Sequence, residues 1–151
     1  MKCVLDATVF FSEVPVNGSL YTTPSLIAEL IDLHAKCRYE KLSAEGLQVI
    51  SPSAESGDRV RAAARTTRDS PVISGTDCDL LALALDLGAA VFTDDFAIQN
   101  VASELGIAVH PLLQRPAKKV VWKYRCSGCG RYFETGGECP VCGSKIRRKL
   151  K

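Results

Sequence analysis

Residues 126–142 read CSGCGRYFETGGECPVC, in which two C-x2-C pairs stand nine residues apart. No other stretch restricts the folding of this chain so tightly. Zn²⁺ takes four thiolates in a tetrahedron with Zn–S near ~2.3 Å, and a two-residue gap lets both cysteines of a pair reach one ion. Cys126, Cys129, Cys139 and Cys142 are therefore expected to hold one Zn²⁺. Gly128, Gly130 and Gly143 are expected to supply the positive φ of the tight turns. The flanks VVWKYRC and RYFE are rich in β-forming residues, so the segment reads as a small zinc ribbon. Redox work needs only one C-x-x-C, whereas two at this spacing point to metal. With all positions taken by protein the ion has no open site, so it holds the fold rather than doing chemistry.

What precedes the ribbon must then form the main core. The chain has 151 residues and is 46% apolar, enough for one sizeable domain with a small appendage. No apolar run is long enough to span a membrane and the N-terminus lacks the layout of a signal peptide, so a cytoplasmic protein without membrane association is expected. In a reducing compartment the seven cysteines are not a disulfide framework. Cys3, Cys37 and Cys78 sit in apolar patterns and are expected as buried hydrophobes.

Charge is segregated along the chain. Residues 1–114 carry 8 Lys+Arg against 15 Asp+Glu, a balance of −7, while residues 115–151 carry 11 against 2, a balance of +9. An acidic body with a basic tail suits a site for cations beside a segment for phosphates, whereas solubility alone explains the total and not the separation. The tail ends in KIRRKLK (including Arg147 and Arg148), with Lys123, Arg125 and Arg131 nearby and Trp122, Tyr124, Tyr132 and Phe133 interleaved. Cations and aromatic faces together suit single-stranded or irregular RNA; a solvated terminus over an aromatic mini-core is the plainer alternative.

Short apolar runs alternate with helical patterns through the body. Strands are expected at Cys3–Leu5, Leu47–Ile50, Ala89–Phe92 and Ile107–His110. Helices are expected from Thr23/Pro24 to Cys37, from Ser53 to Arg68, from Ser74 to a Gly88 stop, and from Phe96 to a Gly106 stop. That alternation implies parallel strands with right-handed crossovers, an α/β sandwich whose ligands lie beyond the carboxyl ends of the strands. A linker is expected around Pro111–Pro116, giving a body of 1–113, a linker of 114–121 and a ribbon with basic tail of 122–151.

Acids gather at those strand ends. Asp6 follows the first strand and the Asp94/Asp95 pair follows the strand at 89–92. If 26–37 is one helix, Leu26, Leu30, Leu33 and Cys37 share a face, Glu29 lies at its border and Asp32 points to water. On the helix from Asp77, that acid lines up with Leu81 and Ala84, opposite Asp79 and Asp86. Helix capping explains Asp77 or Asp95 singly, but not an acid at a strand end or within a helix. Acids brought together at one sheet edge repel unless cations lie between them, and hard oxygen ligands suit Mg²⁺ or Mn²⁺, one or two ions. Such chemistry needs no histidine nucleophile, and His34 and His110 are read as structural.

The segments LDATVFF, PSLIAEL, SGTDCDLLALAL and VFTDDFAIQN, in this order and spacing, resemble the successive acidic motifs of PIN-domain nucleases. Followed by the four-cysteine ribbon, with FAIQN and WKYRC as the more specific pieces, they resemble the NIN-one-binding (Nob) family of ribosome-maturation endonucleases. The resemblance covers nearly the whole chain and is weakest at 39–70. It implies a PIN-like three-layer sandwich with a central parallel sheet plus the ribbon. It also implies a metal-dependent endoribonuclease that trims the 3′ end of precursor small-subunit ribosomal RNA, leaving 5′-phosphate and 3′-hydroxyl ends, in contact with the assembling small subunit. By motif its metal-binding acids are Asp6, Glu29, Asp77 and Asp95, with Thr93 and Asp95 forming the family's T-x-D; Asp94 then either assists a second ion or caps the helix. Arg61, Arg65 and Arg68 form a helical stripe that can track phosphates or simply face water. A non-catalytic RNA- or pre-ribosome-binding adaptor is the main alternative. Phosphoryl chemistry on an aspartate normally has an acidic pair after the first strand, where Asp6 stands alone, and toxin-type PIN ribonucleases normally lack a ribbon.

Overall fold

Cys3, Val4 and Leu5 are consecutive residues of one strand and all fully buried. Neighbouring side chains on a strand point to opposite faces, so both faces of this sheet are covered. The computed structural model, which describes residues 1–112 and 122–149, shows what covers them. In chain order the body runs β1 (Lys2–Leu5), α1 (Ala7–Phe11), β2 (Ser19–Thr22), α2 (Pro24–Glu29), α3 (Leu33–Ala44), β3 (Gln48–Val49), α4 (Ala54–Thr67), α5 (Gly75–Leu87), β4 (Ala90–Phe92), α6 (Phe96–Leu105) and β5 (Val109–His110). The strands form an all-parallel sheet in the order β3-β2-β1-β4-β5, with α1 packed on α3 and α4 packed on α5 and α6. This is the three-layer PIN architecture expected from the motifs.

The winding locates the site. The chain moves outward from β1 to β3, returns to β4 beside β1 and continues to β5, so its direction reverses between β1 and β4. Such a reversal opens a crevice beyond the carboxyl ends of the two central strands. Asp6 and Asp94/Asp95 follow those ends directly.

Two parts of the body differ from expectation. The helix predicted over 26–37 is broken into α2 and α3, because Asp32 N-caps α3 by accepting the Ala35 N–H at 3.2 Å. Leu26 and Leu30 are buried, but Leu33 beyond the break is 75% exposed and Cys37 faces water instead of the core. Cys3 and Cys78 are buried as expected. Neither α1 nor β2 is expected from the apolar pattern: α1 is one short turn capped by Asp6, and β2 is four residues set between Gly18 and Pro24. Gly18, at φ 106°, lets the backbone pass so close to Met1 that a Cβ would strike the Met1 carbonyl.

The ribbon is a second, antiparallel sheet of β6 (Lys123–Cys126), β7 (Tyr132–Phe133), β8 (Gly137–Glu138) and β9 (Lys145–Lys149), in the order β7-β6-β9-β8. Gly130 and Gly143 have φ of 77°, as expected, but Gly128 is not left-handed. Glycine is needed at 128 for space, since a Cβ there would collide with the Ser144 side chain. The expected linker, 114–121, lies outside the described residues. No helix among the described residues is long and apolar enough to cross a membrane.

Candidate active site

The crevice is organised by one hydroxyl. Thr93, fully buried just after β4, donates to Asp6 Oδ2 at 2.6 Å and accepts the Asp95 N–H at 3.0 Å, so it fixes acids from two strand ends. Asp6 also caps α1 by accepting the Ala7 N–H at 2.7 Å, and Asp95 caps α6 through the N–H groups of Ala97 and Ile98 at 2.8 and 3.3 Å. Asp77 completes a capping box with Ser74 at the start of α5, its Oδ2 accepting the Ser74 N–H at 3.0 Å. Glu29, the last residue of α2, accepts the Thr76 hydroxyl at 2.6 Å, which places it beside the start of α5.

Capping thus reaches further than the sequence suggests, since it accounts for Asp6 as well as for Asp77 and Asp95. It does not account for their convergence. Burial lifts the Asp6 carboxyl above its ordinary range; hydrogen bonds from Thr93 and Ala7 oppose the rise, and the charges of Asp77 and Asp95 add to it. Asp77 is raised by burial first, against its bonds to Ser74, with Asp95 and Glu29 adding. Asp6, Glu29, Asp77 and Asp95 therefore share one electrostatic neighbourhood, drawn from α2, α5 and the ends of β1 and β4.

Other acids are engaged elsewhere. Asp94 Oδ1 accepts the Leu112 N–H at 2.8 Å, tying the segment after β5 to the turn after β4. Asp79 accepts the Ser25 hydroxyl at 2.7 Å and draws α2 toward α5. Asp86 anchors the start of α4, accepting from Ser53 and Ser56.

The cysteines form a tighter group. Their four Sγ atoms lie within 4.8 Å of one another, with Cys126 and Cys142 at 3.3 Å and Cys129 and Cys139 at 3.8 Å. A tetrahedron with Zn–S of about 2.3 Å has edges of about 3.8 Å, so the set fits a Zn²⁺ ion. The Gly128 and Val141 N–H groups each point at the first sulfur of their own pair at 3.4 Å. Hydrogen bonds from Ser144 pull the Cys142 thiol down to about 6. The Arg131 N–H favours the Cys129 thiolate, but burial and the neighbouring sulfurs outweigh it and push that thiol up to about 11. Among the described residues the carboxylates do not come as close together as the sulfurs do.

Residues 3–87 match the family model described as the PIN domain of ribonuclease. The chain is 39% identical over 151 residues to Endoribonuclease Nob1 of Pyrococcus abyssi, covering 97% of this chain and 92% of the relative. It is 40% identical over 162 residues to Endoribonuclease Nob1 of Archaeoglobus fulgidus, covering 100% of this chain and 95% of the relative. The chain belongs to the Nob1 family of PIN-domain endoribonucleases. Ribonuclease VapC1 of Thermoplasma acidophilum is also similar, at 36% identity over 136 residues, 88% of this chain and 69% of the relative.

For a Nob1-family chain the basic residues divide in an informative way. In β6 and β9, Arg125 is paired with Arg147 and Tyr124 with Arg148, so alternation sends successive cations to opposite faces. On one face Lys123 and Arg125 lie over the Tyr132 ring at 5.4 and 5.8 Å. Arg125 and Arg147 line a cleft of about 410 Å³ beside the first cysteine pair, with Gly128, Gly130 and Arg148, whose guanidinium is engaged by Trp122 and Asp69. On the other face Arg148 lies 4.1 Å from the centre of the Trp122 ring and pairs with Asp69. Arg131 is exposed. Of the α4 stripe, Arg61 pairs with Asp58, Arg65 is exposed, and Arg68 reaches the ribbon, pairing with Glu134 at 2.8 Å over the Tyr124 ring.

Asp69 and Thr76 were not singled out by the sequence. Thr76 stands one residue before Asp77, and its hydroxyl matters only once α2 is placed beside α5. Asp69 is a lone acid after α4, and nothing local announces that its partners come from α6 and the ribbon.

Proposed function

We propose that this protein is a metal-dependent endoribonuclease acting on precursor small-subunit ribosomal RNA at its 3′ end, with Asp6, Glu29, Asp77 and Asp95 as its metal-binding acids. The observation that carries this reading is the convergence of those acids at the β1/β4 switch point, where burial first and the neighbouring carboxylates second raise Asp6 and Asp77. The names of the relatives support an RNA substrate. Family membership, the acidic body and the basic ribbon support a ribosomal precursor presented by the assembling small subunit.

The protein's own part in the reaction is positioning and charge. Thr93 holds Asp6 and Asp95 in register, Thr76 holds Glu29, and the Ser74 capping box holds Asp77, so little reorganisation is needed when substrate arrives. Bound Mg²⁺ or Mn²⁺, one ion or two, would supply an activated water and neutralise phosphate charge for an in-line displacement. Asp94 has a structural task in tethering Leu112. Zn²⁺ on Cys126, Cys129, Cys139 and Cys142 has a structural role, and the chain divides into a nuclease body of 1–113, a linker of 114–121 and a ribbon of 122–151. Lys123, Arg125, Arg131 and Arg147 offer phosphate contacts on the ribbon, Arg61 and Arg65 on α4.

Cleavage of an RNA spanning the small-subunit 3′ end, with Mg²⁺ or Mn²⁺ added or omitted, tests the proposal against Asp6→Asn. Discrete metal-dependent cuts are expected, slowed about a hundredfold or more in the variant. Equal cutting by both proteins would remove Asp6 from the site. Tight binding with no cutting, on free RNA and on pre-ribosomal particles alike, would make the chain an adaptor.

A further inference from the structure

The least expected carboxylate in the molecule is the fully buried Asp69, which lies between body and ribbon. Its Oδ2 accepts the Asn100 amide of α6 at 2.6 Å, and its Oδ1 accepts the Trp122 indole N–H at 3.0 Å and the Arg148 guanidinium at 3.3 Å. A buried carboxylate is costly unless its partners are fixed, so this one ties the placement of the ribbon to that of the body. The residue before it, Arg68, closes α4 with φ 65°, a left-handed conformation usually left to glycine. A side chain at that position has a use here. Arg68 crosses to Tyr124 and Glu134 of the ribbon, while its carbonyl accepts from Arg148 at 3.2 Å. Trp122 meets Phe96 edge-on at 6.2 Å between ring centres, and Phe96 is the residue after Asp95.

We propose that Asp69 is a positioning residue that locks the ribbon against the nuclease body, so that RNA held on the Arg125/Arg147 face is presented to the acidic crevice at a fixed orientation. The inference rests on the nuclease reading for its substrate, and on the junction alone for the lock. A rigid pair of binding surfaces raises the effective concentration of one for RNA held on the other. A loose pair loses that gain while each surface stays intact. An RNA too short to reach both surfaces does not sense the difference.

The experiment compares the full zinc-loaded chain with Asp69→Asn, which removes the charge and opposes the Asn100 amide. A milder variant, Trp122→Phe, keeps the ring but not its N–H. Nitrogen-15 relaxation reports whether body and ribbon tumble together. Steady-state cleavage is measured on single-stranded RNAs of about 4 and about 30 nucleotides, the shorter within the smallest footprints of single-strand-binding folds. The parent is expected to tumble as one body and the variants as two, with Asp69→Asn the looser. KM for the longer RNA is expected to rise about tenfold in Asp69→Asn, with kinetics on the shorter one unchanged. Independent tumbling in the parent, or joint tumbling in both variants, overturns the proposal. Equal losses on both RNAs also overturn it, because that marks damage to the body. If the parent cuts neither RNA, the lock is judged by tumbling and by affinity for the longer RNA, and the nuclease reading is judged separately on pre-ribosomal particles.

Discussion

Thr93 and Asp6 show how one buried contact serves folding and chemistry in opposite senses. The Thr93 hydroxyl and the Ala7 N–H favour the charged form of Asp6, yet burial and the charges of Asp77 and Asp95 prevail and leave its pKa raised. A carboxyl with a raised folded pKa contributes stability that is fully present below the unfolded value and lost as pH rises through the folded one. Without divalent cations the charged site therefore weakens the fold at neutral pH. In buffer free of Mg²⁺ and Mn²⁺, and without chelator so that zinc is kept, Asp6→Asn is expected to be more stable than the parent by about 1 kcal/mol at pH 7. Asparagine also caps helices well, so α1 should survive. Denaturant melts should show the difference narrowing as pH falls toward the ordinary aspartate value of 3.8. A variant less stable than its parent at pH 7 would mean that the lost hydrogen bonds outweigh the relieved charge. Thr93→Val tests positioning in turn: both acids remain but lose their shared hydroxyl, and cleavage is expected to fall about 10–100-fold with secondary structure unchanged by circular dichroism.

At the scale of elements, legibility in the sequence followed the strength of local signals. The helices with a marked start and stop were placed well: Ser53 and Arg68 bound α4, Gly88 closes α5 and Gly106 closes α6. The cysteine pairs located the ribbon, and Asp6 and Asp95 are legible as acids at strand ends because a parallel sheet gathers such ends on one side, whereas Glu29 and Asp77 come from helix patterns and the family motifs. What was not legible lacked a local signal or carried a misleading one. Leu30 and Leu33 continue an apolar pattern across a break made by the Asp32 cap, and β2 is too short for its alternation to show. Asp69 gives no local sign of partners that are distant in sequence. The same contrast predicts separate melting. Among the described residues the ribbon's buried apolar cluster is Cys126, Cys139 and Ile146, with Tyr124 and Phe133 packed against it, far too little to fold without the proposed zinc. Chelation should therefore unfold the ribbon while the parallel sheet persists, seen as loss of amide dispersion confined to 122–149. Retained ribbon signals after zinc removal would mean that the Asp69 junction alone holds it.

Across the whole molecule, charge separation becomes a matter of two faces. On the proposed reading the body repels phosphate except where cations bridge its acids, and the ribbon attracts it on the face that carries Lys123, Arg125 and Arg147. Arg125 and Arg147 are cross-strand neighbours, and like charges so placed disfavour the sheet unless something anionic lies over them. A phosphate backbone would relieve that repulsion and release its counterions. Affinity for single-stranded RNA should consequently fall with salt, by a slope of about 0.7 for each phosphate neutralised. Arg147→Ala is expected to lower the slope by about 0.7, and Arg125→Ala/Arg147→Ala together by about 1.4. Arg148 offers the control on the same strand, because its guanidinium is engaged by Trp122 and Asp69 on the opposite face. Its replacement should alter the tumbling of the ribbon more than the salt slope. Fluorescence anisotropy with one labelled RNA across a salt series measures all three variants. Equal slope changes for Arg147→Ala and Arg148→Ala would show that RNA does not distinguish the two faces, and the basic ribbon would then act as a diffuse charge rather than as an oriented surface.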